Sequence, residues 1–115
     1  MLTGSCHCGA VTFTVDADVP AEATSCNCSH CRRKGLLLAF YSLDQFKMQQ
    51  GEEALRSYYF NRHAIEHQFC ATCGCQPFAA GTGPDGKPVR AVNLRCVDDV
   101  DLGALKLNEF DGASL

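Results

Sequence analysis

The fold is indicated most directly by the stretch SCHCGAVTFTV, residues 5–15. Its second half alternates apolar and polar side chains with a period of two, which places Val11 and Phe13 on one face of a β-strand. Its first half contains Cys6 and Cys8. Residues two apart in an extended segment point the same way, so both sulfur atoms can reach one ion. The stretch therefore predicts a half-buried strand that directly follows a metal-binding cysteine pair.

The remainder of the chain carries strand and turn signals, with little sign of helices. Further strands are predicted by apolar and aromatic runs at residues 36–43, 55–60, 65–69, 78–80 and 89–97. The last two form a hairpin in this interpretation, because the Gly-Pro-Asp-Gly sequence at 83–86 is a strong turn signal. Only 44–49 and 101–105 could hold a helical turn, since no long stretch keeps a helical period. We therefore predict a small all-β fold, with residues 1–115 as a single domain.

The cysteine content is the unusual feature of the composition. The chain contains nine cysteines in 115 residues, a density found in secreted disulfide scaffolds and in metal sites. Nine is odd, so complete disulfide pairing would leave one thiol over, and closely spaced pairs suit a shared ion better than cross-links. The opening residues MLTGS have neither the basic nor the apolar part of a signal peptide. We therefore expect metal binding in a reducing, cytoplasmic environment.

Charge and hydropathy argue against two classes of partner. The formal net charge is −3, whereas binding to the phosphates of a nucleic acid requires a basic face. The longest purely apolar run, residues 36–41, is far too short to span a bilayer. We expect neither a nucleic-acid partner nor a membrane partner.

Most of the cysteines fall in three clusters, which carry the candidate chemistry. The clusters are Cys6-His7-Cys8, Cys26-Asn27-Cys28-Ser29-His30-Cys31 and Cys70-Ala71-Thr72-Cys73. Zinc prefers four soft ligands at tetrahedral corners, so these thiols supply one complete four-cysteine site and leave three over. Spacing alone does not determine which cysteines join. The leftover three lack a fourth protein ligand, which is how catalytic zinc sites differ from structural ones.

Two other interpretations of the incomplete site remain open at this point. A fourth side chain could close it into a second structural zinc site, with His67, His30 or Cys75 as the candidate ligand. Alternatively, Cys28 and Cys31 form a redox-active dithiol. We consider the dithiol weaker, because the βαβ context of thioredoxin-like motifs is missing.

The three motifs, in this order and at these spacings, resemble the signatures of the glutathione-dependent formaldehyde-activating enzyme and centromere protein V family. The matching stretches are GSCHCGAV at 4–11, CNCSHCRR at 26–33 and HQFCATCG at 67–74. The resemblance covers nearly the whole chain. It implies a zinc-bound β-sandwich of the kind called a β-tent, which agrees with the strand pattern above.

The resemblance also implies a division of the cysteines between a structural zinc and a catalytic zinc. The structural ligands would be Cys6, Cys8, Cys70 and Cys73, and the catalytic ligands Cys26, Cys28 and Cys31. A thiol substrate such as glutathione would take the fourth position at the second zinc. The implied reaction is addition of a thiol to an aldehyde, or its reverse, which is a carbon–sulfur lyase chemistry. Zinc suits this role because coordination deprotonates a thiol, whose ordinary pKa is about 8.5.

The chain also departs from the enzyme branch of the family. It lacks the extensions that flank the zinc core there, and its ending, with NLRCVD at 93–98 and NEFDG at 108–112, looks more like the centromere protein V branch. That branch allows a second function, a zinc-stabilised binding module without turnover. Arg32, Arg33 and Lys34 could offset the anionic site or hold substrate carboxylates. Alternatively, these three side chains belong to a solvent-exposed edge of the protein and bind nothing.

Overall fold

The computed structural model describes all 115 residues, which form two β-sheets and one short α-helix. The smaller sheet contains β1 (Leu2–Ser5), β2 (Thr12–Val15) and β5 (Phe46–Gln50), in the order β1-β2-β5. The strands of the larger sheet are β3 (Glu22–Cys26), β4 (Leu38–Ser42), β6 (Leu55–Tyr58), β7 (Glu66–Cys70), β8 (Phe78–Thr82), β9 (Pro88–Asn93) and β10 (Lys106–Phe110). Their order is β10-β3-β4-β9-β8-β7-β6. All neighbours are antiparallel except β10, which lies parallel to β3.

Helical structure is confined to short segments. The α-helix α1 (Ser29–Lys34) follows β3, and single 3₁₀ turns occupy Glu52–Ala54, Leu94–Cys96, Leu102–Ala104 and Gly112–Ser114. None of these segments has the length and apolar character that a membrane-crossing helix needs.

Three phenylalanine side chains join the two sheets. Phe13 and Phe46 come from the smaller sheet, and their rings stack with centroids 5.3 Å apart. Phe78 comes from the larger sheet and meets both rings edge-on, at 6.1 Å from Phe13 and 4.8 Å from Phe46. All three are buried, and aromatic pairs in these geometries gain energy beyond the area that they bury. The core therefore fixes the position of one sheet against the other.

The strand ends place the cysteine clusters. Strand β1 ends immediately before Cys6, and β7 ends at Cys70. Strand β3 ends at Cys26, and the next cysteine, Cys28, is the N-cap residue of α1. Each cluster thus begins where a hydrogen-bonded strand stops, so the sheets hold its first sulfur atom while the following turn supplies the others.

The predicted all-β class is confirmed, because strands dominate and the predicted runs at 36–43, 55–60 and 65–69 each contain one. The hairpin is confirmed as well, with β8 paired to β9. Its second strand stops earlier than predicted, however. Beyond Asn93 the chain turns into a 3₁₀ segment, because the Asn93 side chain accepts a hydrogen bond from the backbone N–H of Arg95.

Several local assignments were wrong or missing. The predicted helical turn at 44–49 is strand β5, which pairs with β2 and buries Phe46 in the core. Helix α1 was not predicted, since its six residues are too few to show a helical period. Strand β10 was also unforeseen. Its residues are all exposed, so it lacks the alternating burial that predicts a strand.

Candidate metal centres

One candidate site consists of Cys6, Cys8, Cys70 and Cys73, whose sulfur atoms all lie within 4.8 Å of one another. The Sγ of Cys8 lies 3.6 Å from that of Cys6 and 3.7 Å from that of Cys70. Four thiolates around a zinc ion, each about 2.3 Å from it, have neighbouring sulfur atoms about 3.8 Å apart. The fold therefore brings together a set of soft donors whose spacing fits a tetrahedral zinc ion. We call these residues the four-thiol group.

Backbone N–H groups favour the thiolate form in this group. The N–H of Thr72 donates to the Sγ of Cys70 at 3.4 Å. Donation by the backbone N–H of Cys75 is the largest cause that lowers the pKa of Cys73 to about 5. The chain can fold back in this way because Gly74 adopts φ of 80°, a left-handed conformation that favours glycine. Thiolates are the form that binds metal, so the turn prepares its cysteines for coordination.

The second candidate site consists of Cys26, Cys28 and Cys31, whose sulfur atoms also lie within 4.8 Å of one another. The backbone N–H of Cys28 reaches the Sγ of Cys26 at 3.5 Å, and that of Cys31 reaches the Sγ of Cys28 at 3.3 Å. Burial acts to raise the pKa of Cys28, but hydrogen bonds, led by that from the Cys31 N–H, outweigh it and lower the pKa. We call these residues the three-thiol group. Soft thiolate donors at this spacing also fit zinc.

The three-thiol group has no fourth member among the metal-ligating side chains. His30, His67 and Cys75, the candidates to close the site, are not part of it. His30 and His67 instead lie against each other, with ring centroids 3.9 Å apart. Burial raises the pKa of Cys96 to about 11, and the two remaining thiols, Cys75 and Cys96, belong to neither group.

The C-terminal segment, residues 110–113, is hydrogen-bonded to Asn27, which lies between Cys26 and Cys28 of the three-thiol group. The backbone N–H of Asn27 donates to the carbonyl of Phe110 at 3.2 Å, and its side-chain amide donates to Asp111 Oδ1 at 3.0 Å. The N–H of Ala113 donates in turn to Asn27 Oδ1 at 2.9 Å. The sequence did not reveal these contacts, because Asn27 and Asp111 are 84 positions apart and a single Asn carries no local signal.

A pocket of about 610 Å³ opens beside the three-thiol group. Cys26 and Cys31 line it, and the C-terminal segment forms part of its wall. The charged residues that line it are Arg32, Arg95, Glu109 and Asp111. Arg32 is one of the three cations for which the sequence left a substrate contact and a solvated edge open, whereas the other three lining residues come from distant parts of the chain. A small molecule in this pocket would lie next to Cys26 and Cys31, whereas Cys28 is not part of the lining.

A substitution at Gly112 tests how closely the C-terminal segment packs against the three-thiol group. A Cβ atom at this position would lie 2.5 Å from Cys26 Sγ and 3.3 Å from Cys28 Cβ. Gly112→Ala is therefore expected to displace Cys26 and to weaken zinc binding at the three-thiol group about tenfold, as loss of supporting contacts does in other zinc sites. Competitive zinc titration measures the effect.

Gly103→Ala is the matched control, because Gly103 also lies in a 3₁₀ turn and its added Cβ would meet its nearest neighbour at an ordinary 3.5 Å. Equal zinc affinity in both variants would show that the C-terminal segment does not constrain Cys26.

Together, the fold and the two thiol groups define a class of small, mainly β proteins with two cysteine groups that could hold zinc. The family model described as glutathione-dependent formaldehyde-activating enzyme matches residues 1–109, and the chain belongs to this family. A crystal structure of a Rhodobacter sphaeroides protein is similar as well. It shares 33% sequence identity and a TM-score of 0.77, over 92% of this chain and 99% of that chain. The family resemblance of the three cysteine motifs is thus confirmed.

Proposed function

We propose that this protein is a carbon–sulfur lyase-type enzyme that acts on the adduct of a small thiol, such as glutathione, with an aldehyde. In this proposal the four-thiol group holds a structural zinc, and the three-thiol group holds a second zinc at which the thiol binds. Residues 1–115 form one zinc-binding domain around both. The family membership supports the general class of activity.

The observation that carries the proposal is the incomplete ligand set beside an open pocket. The three sulfur atoms of Cys26, Cys28 and Cys31 are gathered without a fourth metal-ligating side chain. The pocket of about 610 Å³ beside them has room for a small molecule. Zinc in catalytic sites has three protein ligands and one exchangeable position, and this arrangement supplies both features. A closed structural site would need a fourth side chain.

The reaction joins the thiol sulfur to the aldehyde carbon. The sulfur lone pair forms the C–S bond, the carbonyl π electrons move to oxygen, and the proton released by the thiol ends on that oxygen; the reverse reaction cleaves the same bond. A zinc ion bound at the three-thiol group supplies the Lewis acidity that turns the thiol into a thiolate at neutral pH. Arg32 and Arg95 in the pocket wall pair with carboxylates of the thiol substrate.

X-ray absorption on the zinc-loaded protein tests this function. With both sites loaded, the mean number of sulfur ligands per zinc is expected to rise from about 3.5 to about 4 when glutathione is added. S-methylglutathione is the matched control, since it has the same charges and size but no free thiol. Formation of the formaldehyde–glutathione adduct, followed by NMR exchange, should be faster with the protein present. No change in sulfur coordination and no rate effect would instead favour the zinc-stabilised binding module.

A further inference from the structure

The buried side-chain nitrogen and oxygen atoms without a hydrogen-bond partner all belong to two contacting histidines. They are both ring nitrogens of His30 and the Nε2 of His67. His67 is only 5% exposed, and the centroids of the two rings lie 3.9 Å apart. A buried polar atom without a partner is costly, and native proteins contain few of them. Their concentration on one ring pair indicates that the two histidines share a partner that the polypeptide does not provide.

The hydrogen bonds of His67 identify which kind of partner this is. The ammonium of Lys34, which can only donate, donates to Gln76 Oε1 at 2.7 Å. The amide nitrogen of Gln76 therefore faces His67 Nδ1, at 3.2 Å, and must donate to it. Burial, followed by the nearby His30 and Lys34, lowers the pKa of His67 to about 4, so the ring is neutral at pH 7 and carries its proton on Nε2. The partner missing at His67 Nε2 is consequently a hydrogen-bond acceptor and not a cation.

The pocket beside the histidines is cationic and aromatic. It has a volume of about 780 Å³, and its lining contains His30, Arg33 and Lys34 but no acidic residue. Its apolar surface comes from Tyr58, Phe60 and Phe69. Lys34 has no carboxylate partner, and its ammonium lies over the Phe69 ring, 5.4 Å from the centroid. A pocket with cationic and aromatic walls, in a chain whose net charge is −3, favours an anionic ligand with a flat apolar body.

We propose that this pocket is a second ligand site, which binds a carboxylate attached to a flat apolar group. The carboxylate oxygen accepts the hydrogen bond from Nε2 of His67, its charge lies near Lys34, and its apolar body packs against the aromatic walls. His30 lines the pocket, whereas His67 lies against His30 and is not part of the lining, so this binding mode requires the His30 ring to rotate away from His67 Nε2. The site shares no lining residue with the pocket beside the three-thiol group, and it needs no thiol in its ligand.

Benzoate is the probe for this site, tested on the zinc-loaded full-length chain by calorimetry. We expect saturable binding of one benzoate, with affinity about tenfold or more above that of the uncharged isostere benzamide, because the hydrogen bonds to an ionised acceptor are the stronger ones. Acetate, which has the charge without the flat body, should bind more weakly than benzoate. In ¹⁵N NMR spectra, His67 should show the Nε2-protonated tautomer, and benzoate should shift that signal.

Two variants test separately how the charge of Lys34 and the tautomer of His67 contribute to benzoate binding. Lys34→Gln removes the charge while leaving a partner for Gln76, and should weaken benzoate binding about tenfold. Gln76→Met removes the amide that donates to His67 Nδ1 and leaves the charge of Lys34 in place, so the Nε2-protonated tautomer of His67 is no longer enforced and benzoate binding should weaken. Lys47→Gln, which removes an exposed lysine on β5 outside both pockets, is the matched control and should bind benzoate as the unmodified protein does.

Three results would overturn the proposal. The first is equal affinity for benzoate and benzamide. The second is an Nδ1-protonated His67 in the unmodified protein. The third is a His67 signal that does not respond to benzoate, which would mean that an internal water alone fills the space between the rings.

Discussion

Replacement of Cys8 by serine is expected to leave the chain largely unfolded at room temperature. The Cys8 side chain is exposed, so its substitution removes almost no apolar packing. Its sulfur atom nevertheless lies within 3.7 Å of Cys70 Sγ, a residue 62 positions away. A neutral hydroxyl is a far poorer zinc ligand than a thiolate. Loss of this one sulfur would therefore remove the zinc that, in the proposed function, joins the end of β1 to the end of β7.

The size of the effect follows from the role of structural zinc in small proteins. Zinc binding contributes about 10–16 kcal/mol to the folding of zinc-finger peptides. Native domains are stable by only about 5–15 kcal/mol in total. A domain that depends on such a site has little stability left without it.

Circular dichroism and zinc analysis check the Cys8→Ser result, and Cys75→Ser is the matched control. Cys75 lies two residues after Cys73 but outside the four-thiol group. Its serine variant should keep its strand signal and its full zinc content. If Cys8→Ser folds as well as Cys75→Ser does, the four-thiol group is not what holds the two strand ends together.

The opposite outcome is expected for Cys28→Ser, which should stay folded, retain one zinc per chain and lose thiol binding. The three-thiol group spans only residues 26–31, so its metal constrains a local turn and not the path of the chain. Cys28 is also the N-cap residue of α1, where its side chain accepts from the backbone N–H of Cys31. Serine is among the best N-cap residues, so the helix keeps its cap while the metal site loses a ligand.

Zinc content, circular dichroism and X-ray absorption with glutathione measure this second effect. Ser29→Ala is the matched control, because Ser29 is the exposed next residue of the same helix and lies outside the three-thiol group. It should keep two zinc ions and bind thiols. If Cys28→Ser unfolds as badly as Cys8→Ser, both sites are structural, and the proposed thiol site is wrong.

The local features of this protein could be predicted from the sequence because they depend on neighbouring residues. The alternation around Phe13 predicted a strand and its buried face, and both are observed. Cysteines separated by one or two residues bring their sulfur atoms together through local backbone geometry alone. The same reasoning could not find α1, whose six residues are too few to form a periodic pattern. It also missed β5, whose strand conformation depends on its pairing with β2.

The residue pattern by itself thus determined a β-rich chain with clustered thiols suited to zinc and left the pairing of those clusters open, whereas the family resemblance implied one pairing. The tertiary structure brings Cys6 and Cys8 together with Cys70 and Cys73. The reason is physical: contacts between distant residues depend on how the strands are ordered in the sheets, and that order is set by burial of the whole core. The same holds for the hydrogen bond between Asn27 and Asp111 and for the contact between His30 and His67, because each brings together residues from separate strands or turns.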